Sequence, residues 1–147
     1  MSEGISKGKN LDIIFSVIFL VLGLLLAFTP KNLAPVCAPM HDGSFMKCHW
    51  MGEAVVYLGI AIAVLALIIL FVSTYLNNTG AVLGLILANI VVGIFTLMTP
   101  ISILGTCGNP MMDCNVHTKP MVILLSSIFI IANVVYLVLN RDKLGKK

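Results

Sequence analysis

Two stretches of this chain hold nearly all of its soft donor atoms. The first carries Cys37, Met40, His41, Met46, Cys48, His49 and Met51, and the second carries Cys107, Met111, Met112, Cys114 and His117. Every cysteine, every histidine and five of the eight methionines fall there. Thiolate, thioether and imidazole support three chemistries: a cross-link, a soft-metal site, or thiol–disulfide exchange.

As a cross-link, the cysteines allow three connectivities, among which the sequence does not choose. Cys37–Cys48 with Cys107–Cys114 would close each stretch on itself. Cys37–Cys107 with Cys48–Cys114 would be the symmetric rival. The first arrangement would restrain small loops that have little core of their own, at about 2–3 kcal/mol per bond. As a metal site, Met46, Cys48 and His49 would converge with Met112, Cys114 and His117. Such a donor set suits copper, with zinc or iron served by thiolate and imidazole. No cofactor is required by the sequence, and disulfide formation would leave only methionine and histidine as ligands. As an exchange site, Cys48 would need a lowered pKa, which the adjacent His49 could supply.

These stretches must be positioned by what surrounds them. The chain has 147 residues, of which 59% are hydrophobic and 10% charged, with a net charge of +3. A soluble domain needs more polar surface than that. The apolar residues come in blocks near Leu11–Phe28, Ala54–Leu76, Gly80–Met98 and Met121–Leu139. Each is close to the length of about 20 residues that crosses a hydrocarbon core. Lipid satisfies no backbone polar group, so the blocks are expected to be helices. The expected fold is an all-α integral membrane protein, a four-helix transmembrane bundle in one domain spanning 1–147. The first block is read as a retained helix, since its apolar stretch outruns a signal core and no small-x-small cleavage site follows.

Orientation follows from the basic residues. Lys7, Lys9, Arg141, Lys143, Lys146 and Lys147 lie near the termini, against Lys31, Lys47 and Lys119 in the two long loops. The positive-inside rule puts both termini in the cytoplasm and all four cysteines outside, where disulfides persist. The location expected is the bacterial cytoplasmic membrane. The positive charge is anchoring, and no nucleic-acid partner is implied.

The two halves look alike. Gly23 and Gly93, Thr29 and Thr99, Pro30 and Pro100, and Cys37 and Cys107 share one offset of 70 residues. Both halves then continue through Pro-Met, Met-x-Cys and a histidine. This predicts two tandem hairpins, about 11–76 and about 80–139, forming parallel repeats about an axis along the membrane normal. Within the spans, Gly80, Gly84 and Ala88 form a small-residue ridge suited to close helix approach, and Gly59, Ala63 and Ala66 offer a similar face. Asn89 and Asn133 lie deep in their spans and are expected to face protein and bond across helices. No charged residue sits at a span centre, which argues against an ion carrier. Glu53 and Asp113 are lone acids in no catalytic motif, so an enzyme is not the leading expectation. Glu53 reads mainly as a residue of the membrane edge.

Met46-Lys47-Cys48-His49-Trp50-Met51-Gly52-Glu53-Ala54, with the later Cys107, Met112, Asp113 and Cys114, resembles a family of small bacterial four-span membrane proteins, domain of unknown function 4418. The resemblance covers nearly the whole chain. It implies an accessory subunit whose partners are the lipid bilayer and an ABC transporter permease or another membrane subunit, with a homo-oligomer also open. In architecture alone, the chain also resembles the quinone-coupled disulfide-generating membrane enzymes. Those carry a Cys-x-x-Cys pair in the first loop, whereas Cys37 and Cys48 stand too far apart for it. That resemblance gives the alternative expectation, a quinone-linked membrane thiol–disulfide oxidoreductase.

Overall fold

Backbone N–H and C=O groups in hydrocarbon must pair within their own segment, and the four apolar blocks do so as helices. A computed structural model describes residues 2–76 and 78–144, with side chains described over 8–76 and 78–141. Lys7, Lys143, Lys146 and Lys147 of the orientation argument, and Asn77 between the second and third apolar blocks, lie outside the described side chains. The helices are α1 (Ser2–Phe28), α2 (Lys47–Phe71), α3 (Thr79–Met98) and α4 (Lys119–Leu144). Asn78 caps α3, its Oδ1 accepting from the N–H groups of Gly80 and Ala81 at 3.1 and 3.3 Å. No strand occurs among the described residues.

The helices reach further than apolarity alone indicates. π-Helical turns follow α1 (Thr29–Leu33), α2 (Val72–Leu76) and α3 (Thr99–Ile103), and another, Cys114–Thr118, precedes α4. With these turns, four continuous segments are long and apolar enough to cross a membrane: Gly8–Leu33, Lys47–Leu76, Thr79–Ile103 and Cys114–Arg141. The apolar blocks end at Phe28 and Met98, and a Thr-Pro follows each. Proline removes one ladder donor and crowds the carbonyl one turn back. Here the wider i→i+5 bonding absorbs it, Ala34 N–H donating to Thr29 O at 2.8 Å and Leu104 N–H to Thr99 O at 3.1 Å. Both threonine hydroxyls donate one turn back, Thr29 to Leu25 O at 2.6 Å and Thr99 to Phe95 O at 2.7 Å. The expected starts at Ala54 and Met121 move outward for a different reason. The outer turns contain Lys47, His49, Glu53 and Lys119, polar residues that a membrane edge tolerates and a hydropathy reading discards.

Each helix turns a narrow stripe inward. The buried positions are Ser16, Phe19, Gly23, Leu26 and Pro30, with Thr29 beside it, on α1 and its following turn; Val82, Ile86, Asn89, Gly93 and Thr96 on α3; and Val122, Ser126, Phe129, Asn133, Tyr136 and Asn140 on α4. The alternating spacing of three and four is that of knobs-into-holes bundles. α2 buries a broader face. α1 packs most extensively on α2, and α3 on α4, so the bundle is two hairpins side by side.

Close approach occurs between Gly23 and Gly59. A Cβ added at Gly59 would stand 2.5 Å from Ala27 N and 2.8 Å from Gly23 O. Ala63 and Ala66 share this buried face of α2. The ridge of Gly80, Gly84 and Ala88 is different. Gly80 and Gly84 are exposed, an added Cβ at Gly84 meets nothing within 4 Å, and Ala88 is only half-buried. Small residues at one spacing mark a face of a helix, but not which face turns inward.

Asn89 and Asn133 are fully buried, as expected, yet no bond joins them. Asn133 Nδ2 donates to Phe129 O of its own helix at 2.8 Å, while Asn133 Oδ1 and both amide atoms of Asn89 have no partner among the described residues. Asp12, one residue inside the first block, plays a part that hydropathy hides. It accepts from Tyr136 Oη at 2.7 Å and from Ser73 Oγ at 3.3 Å, tying α1 to α4 and to the end of α2. That clasp closes the end of the bundle opposite the cysteines.

Candidate sulfur centre

Helical periodicity aims two of the cysteines. Cys48 is the second residue of α2 and lies on the same stripe as Met51, Gly52, Val55 and Gly59; Cys114 opens the π turn before α4 on the stripe of Thr118 and Val122. Both sulfurs point into the bundle, and both residues are 0% exposed. They are thus parts of helices and not of the loops expected to hold them.

The loops deliver the other two. After the first π turn, Val36 N–H donates to Pro30 O at 3.2 Å, and Ala34 O accepts from the buried Thr118 hydroxyl at 2.8 Å. The second contact pins the first loop to the start of α4, three residues before Cys37. Gly52 leaves room for Val36, since an added Cβ there would meet a Val36 methyl at 2.9 Å. In the second loop Gly105 takes φ +67°, a left-handed turn that favours glycine and sends the chain back toward Cys107. Asn115 Nδ2 then holds the loop shut by donating to Cys107 O and Asn109 O, each at 2.8 Å.

All four sulfurs meet as a result. Cys48 is bonded to Cys107, with Cα atoms 6.1 Å apart. Cys114 Sγ lies 2.6 Å from Cys48 Sγ, and Cys37 Sγ lies 3.7 Å from Cys114 Sγ. The sulfurs of Cys37, Cys48 and Cys114 all fall within 4.8 Å of one another. Met46 Sδ adds a fifth sulfur, 3.9 Å from Cys107 Sγ. Cys48 and Cys114 are buried, while Cys37 and Cys107 are partly exposed. A bonded Cys48 carries no proton, so Cys114 donates to it, and Cys37 donates to Cys114 in turn.

The bond that forms belongs to neither pairing singled out from the sequence. It belongs to the third connectivity, in which each helix-borne cysteine meets the loop cysteine of the other hairpin, Cys48 with Cys107 and Cys114 with Cys37. The first loop is carried there by the Ala34–Thr118 contact with the start of the second hairpin's last helix. The expected ligand set also regroups. Cys48 and Cys114 meet, Cys37 and Cys107 complete the cluster, and Met46 lies beside Cys107. His49 turns away, stacked on Phe45 with ring centres 4.2 Å apart, because successive helical residues point in different directions. His117 is exposed on the π turn, and Met112 is half-buried, its carbonyl accepting from the N–H groups of Asn115 and Val116 at 2.9 and 3.1 Å. The sulfurs of Cys37 and Cys107 were legible as cross-link partners, but nothing in their spacing marked them as members of a ligand cluster.

Glu53 faces a shallow groove with Trp50, Ala54, Tyr57 and Leu104, and its carboxylate lies 3.7 Å from Lys31 Nζ. This exposed pair contributes little to stability.

Residues 19–139 match the family described as Domain of unknown function (DUF4418). No curated protein and no solved structure matches the chain.

Proposed function

The chain belongs to the DUF4418 family, and from its sulfur geometry we propose that it is a non-enzymatic accessory membrane subunit whose loop end holds a soft metal ion between thiolates. The observation that carries this reading is the convergence of the Cys37, Cys48 and Cys114 sulfurs within 4.8 Å. Thiolates at that spacing suit Cu(I), zinc or iron far better than a hard, oxygen-seeking cation. With Cys48 bonded to Cys107 the site lacks one of its three thiolates, so reduction must precede loading. About one ion per chain is expected in reduced protein by elemental analysis. The Cys37→Ser, Cys114→Ser double variant should lose it, and the His49→Ala, His117→Ala double variant should keep it. Equal metal content in the cysteine variant and the parent protein would end the proposal.

The bundle is read as two parallel repeats with cytoplasmic termini in the bacterial inner membrane. Two matching π turns, Thr29–Leu33 and Thr99–Ile103, with the same threonine bonds, support the repeat. The distribution of lysine and arginine supports the orientation. The proposed partner is the permease of an ABC transporter, by the family resemblance. The outward ridge at Gly80 and Gly84 would let a partner helix approach closely. Copurification in mild detergent is expected, and should be weakened by Gly84→Leu. Two intact components that never copurify would remove the partner from the proposal.

A bonded Cys48–Cys107 pair touching a thiol also favours a second reading, a quinone-linked thiol–disulfide oxidoreductase. That reading requires continued turnover of dithiols with a quinone acceptor, which metal holding does not.

A further inference from the structure

We infer that the Cys48–Cys107 bond opens by exchange with an extracytoplasmic dithiol that attacks Cys107, and that Cys114 and Cys37 form a relay receiving the charge left on Cys48. The inference rests on the metal reading for its purpose, which is to free the thiolates, but the exchange itself needs no metal.

The two bonded sulfurs differ in access. Cys107 lies in a loop and is partly exposed, whereas Cys48 lies on a helix at 0% exposure. Exchange needs a thiolate to reach the sulfur it attacks, so it begins at Cys107 and Cys48 is the leaving group. A thiolate released in a buried place is costly unless donors meet it. Cys114 Sγ stands 2.6 Å from that sulfur, and its S–H is the only proton in the contact. Cys37 donates to Cys114 from 3.7 Å behind. Cys37 is partly exposed, so the relay runs from the departing sulfur toward solvent.

The balance closes with the dithiol as the only co-reactant. Its thiolate forms a bond to Cys107 Sγ, the Cys48–Cys107 bond breaks, and the electron pair stays on Cys48. The second thiol of the reagent loses its proton and attacks the first reagent sulfur. Cys107 then leaves as a thiolate. The reagent departs as its own disulfide, and its two electrons and two protons end on Cys48 and Cys107. Cys114 and Cys37 are positioning residues in this sequence, since neither bonds to the reagent.

The full chain in mild detergent, with chelator present, provides the test. Brief treatment with glutathione, a monothiol that stalls at the mixed disulfide, is expected to place glutathione on Cys107 and leave Cys48 free by peptide mass mapping. Opening by dithiothreitol should slow about tenfold in Cys114→Ala, the size of one hydrogen bond to a charged group. Cys114→Ser, which restores a donor, should recover most of the rate. Variants are compared only where mapping first finds Cys48–Cys107 intact, and the adduct position in the parent protein needs no variant. Glutathione on Cys48, or an unchanged rate in Cys114→Ala, overturns the inference. The metal reading is judged apart from it, on ion content after complete reduction by a phosphine, which bypasses this route.

Discussion

Cys107→Ser is expected to lower the stability of the bundle by about 2–4 kcal/mol, the range for loss of a long-range cross-link. The bond spans a sequence separation of 59 and joins the start of α2 to the loop between α3 and α4. It is therefore a covalent tie between the two hairpins at the loop end. The free-energy effect comes from the unfolded chain, which regains the freedom to separate those hairpins. Membrane-inserted helices keep part of that restriction, which favours the lower half of the range. Cys48→Ser should cost more than Cys107→Ser, because it also leaves a hydroxyl in a fully buried place beside Cys114. The midpoint of unfolding in mixed mild and denaturing detergent measures both. Reductant should bring the parent protein down to the Cys107→Ser curve. A parent midpoint indifferent to reductant would show that the tie contributes nothing.

The second large effect is expected from one methyl group. Gly59→Ala should destabilise by about 3 kcal/mol, the upper end of ordinary overpacking. The added Cβ would meet Ala27 N at 2.5 Å, Gly23 O at 2.8 Å and Ala27 Cα at 2.9 Å. All three are backbone atoms of α1. No rotamer change relieves the clash, so the two helices must move apart along the contact they share. Gly84→Ala makes the contrast. Its Cβ meets nothing within 4 Å, and it should leave stability unchanged or raise it by up to about 1 kcal/mol, the direction favoured by helix propensity. The same detergent titration compares the pair. Equal losses at Gly59 and Gly84 would mean that the α1–α2 contact is not where the structure puts it.

The two ends of the bundle do different work. At the end where α1 begins and α4 finishes, Asp12 accepts from Tyr136 and Ser73, which fastens three helices without using a cysteine. At the loop end, the Cys48–Cys107 bond and the Thr118–Ala34 hydrogen bond do the fastening. Reduction of the sulfur centre would therefore loosen one end while the other stays closed. Such a centre can change its state without dissolving the bundle.

Block length and composition were enough to read four helices, and hairpin connectivity was enough to bring both cysteine stretches to one end. Those features depend on properties a segment has alone: its length, its apolarity and the lack of backbone partners in lipid. Gly59, Ala63 and Ala66 were readable as a packing face for the same local reason. The helix limits were not, because Pro30 and Pro100 look like stops until the i→i+5 bonding of the turns is seen. Nor was the inward face of α3, where Gly80 and Gly84 compete with the Val82, Ile86, Asn89 and Gly93 stripe, and only packing against α4 selects between them. The pairing of cysteines lay furthest from view. Cys37 and Cys107 occupy equivalent places in sequence and take equivalent neighbours, Cys114 and Cys48, each from the other hairpin. That choice depends on how two loops and two helix starts meet in space, and no spacing along one chain encodes a distance between segments that come together only when the bundle closes.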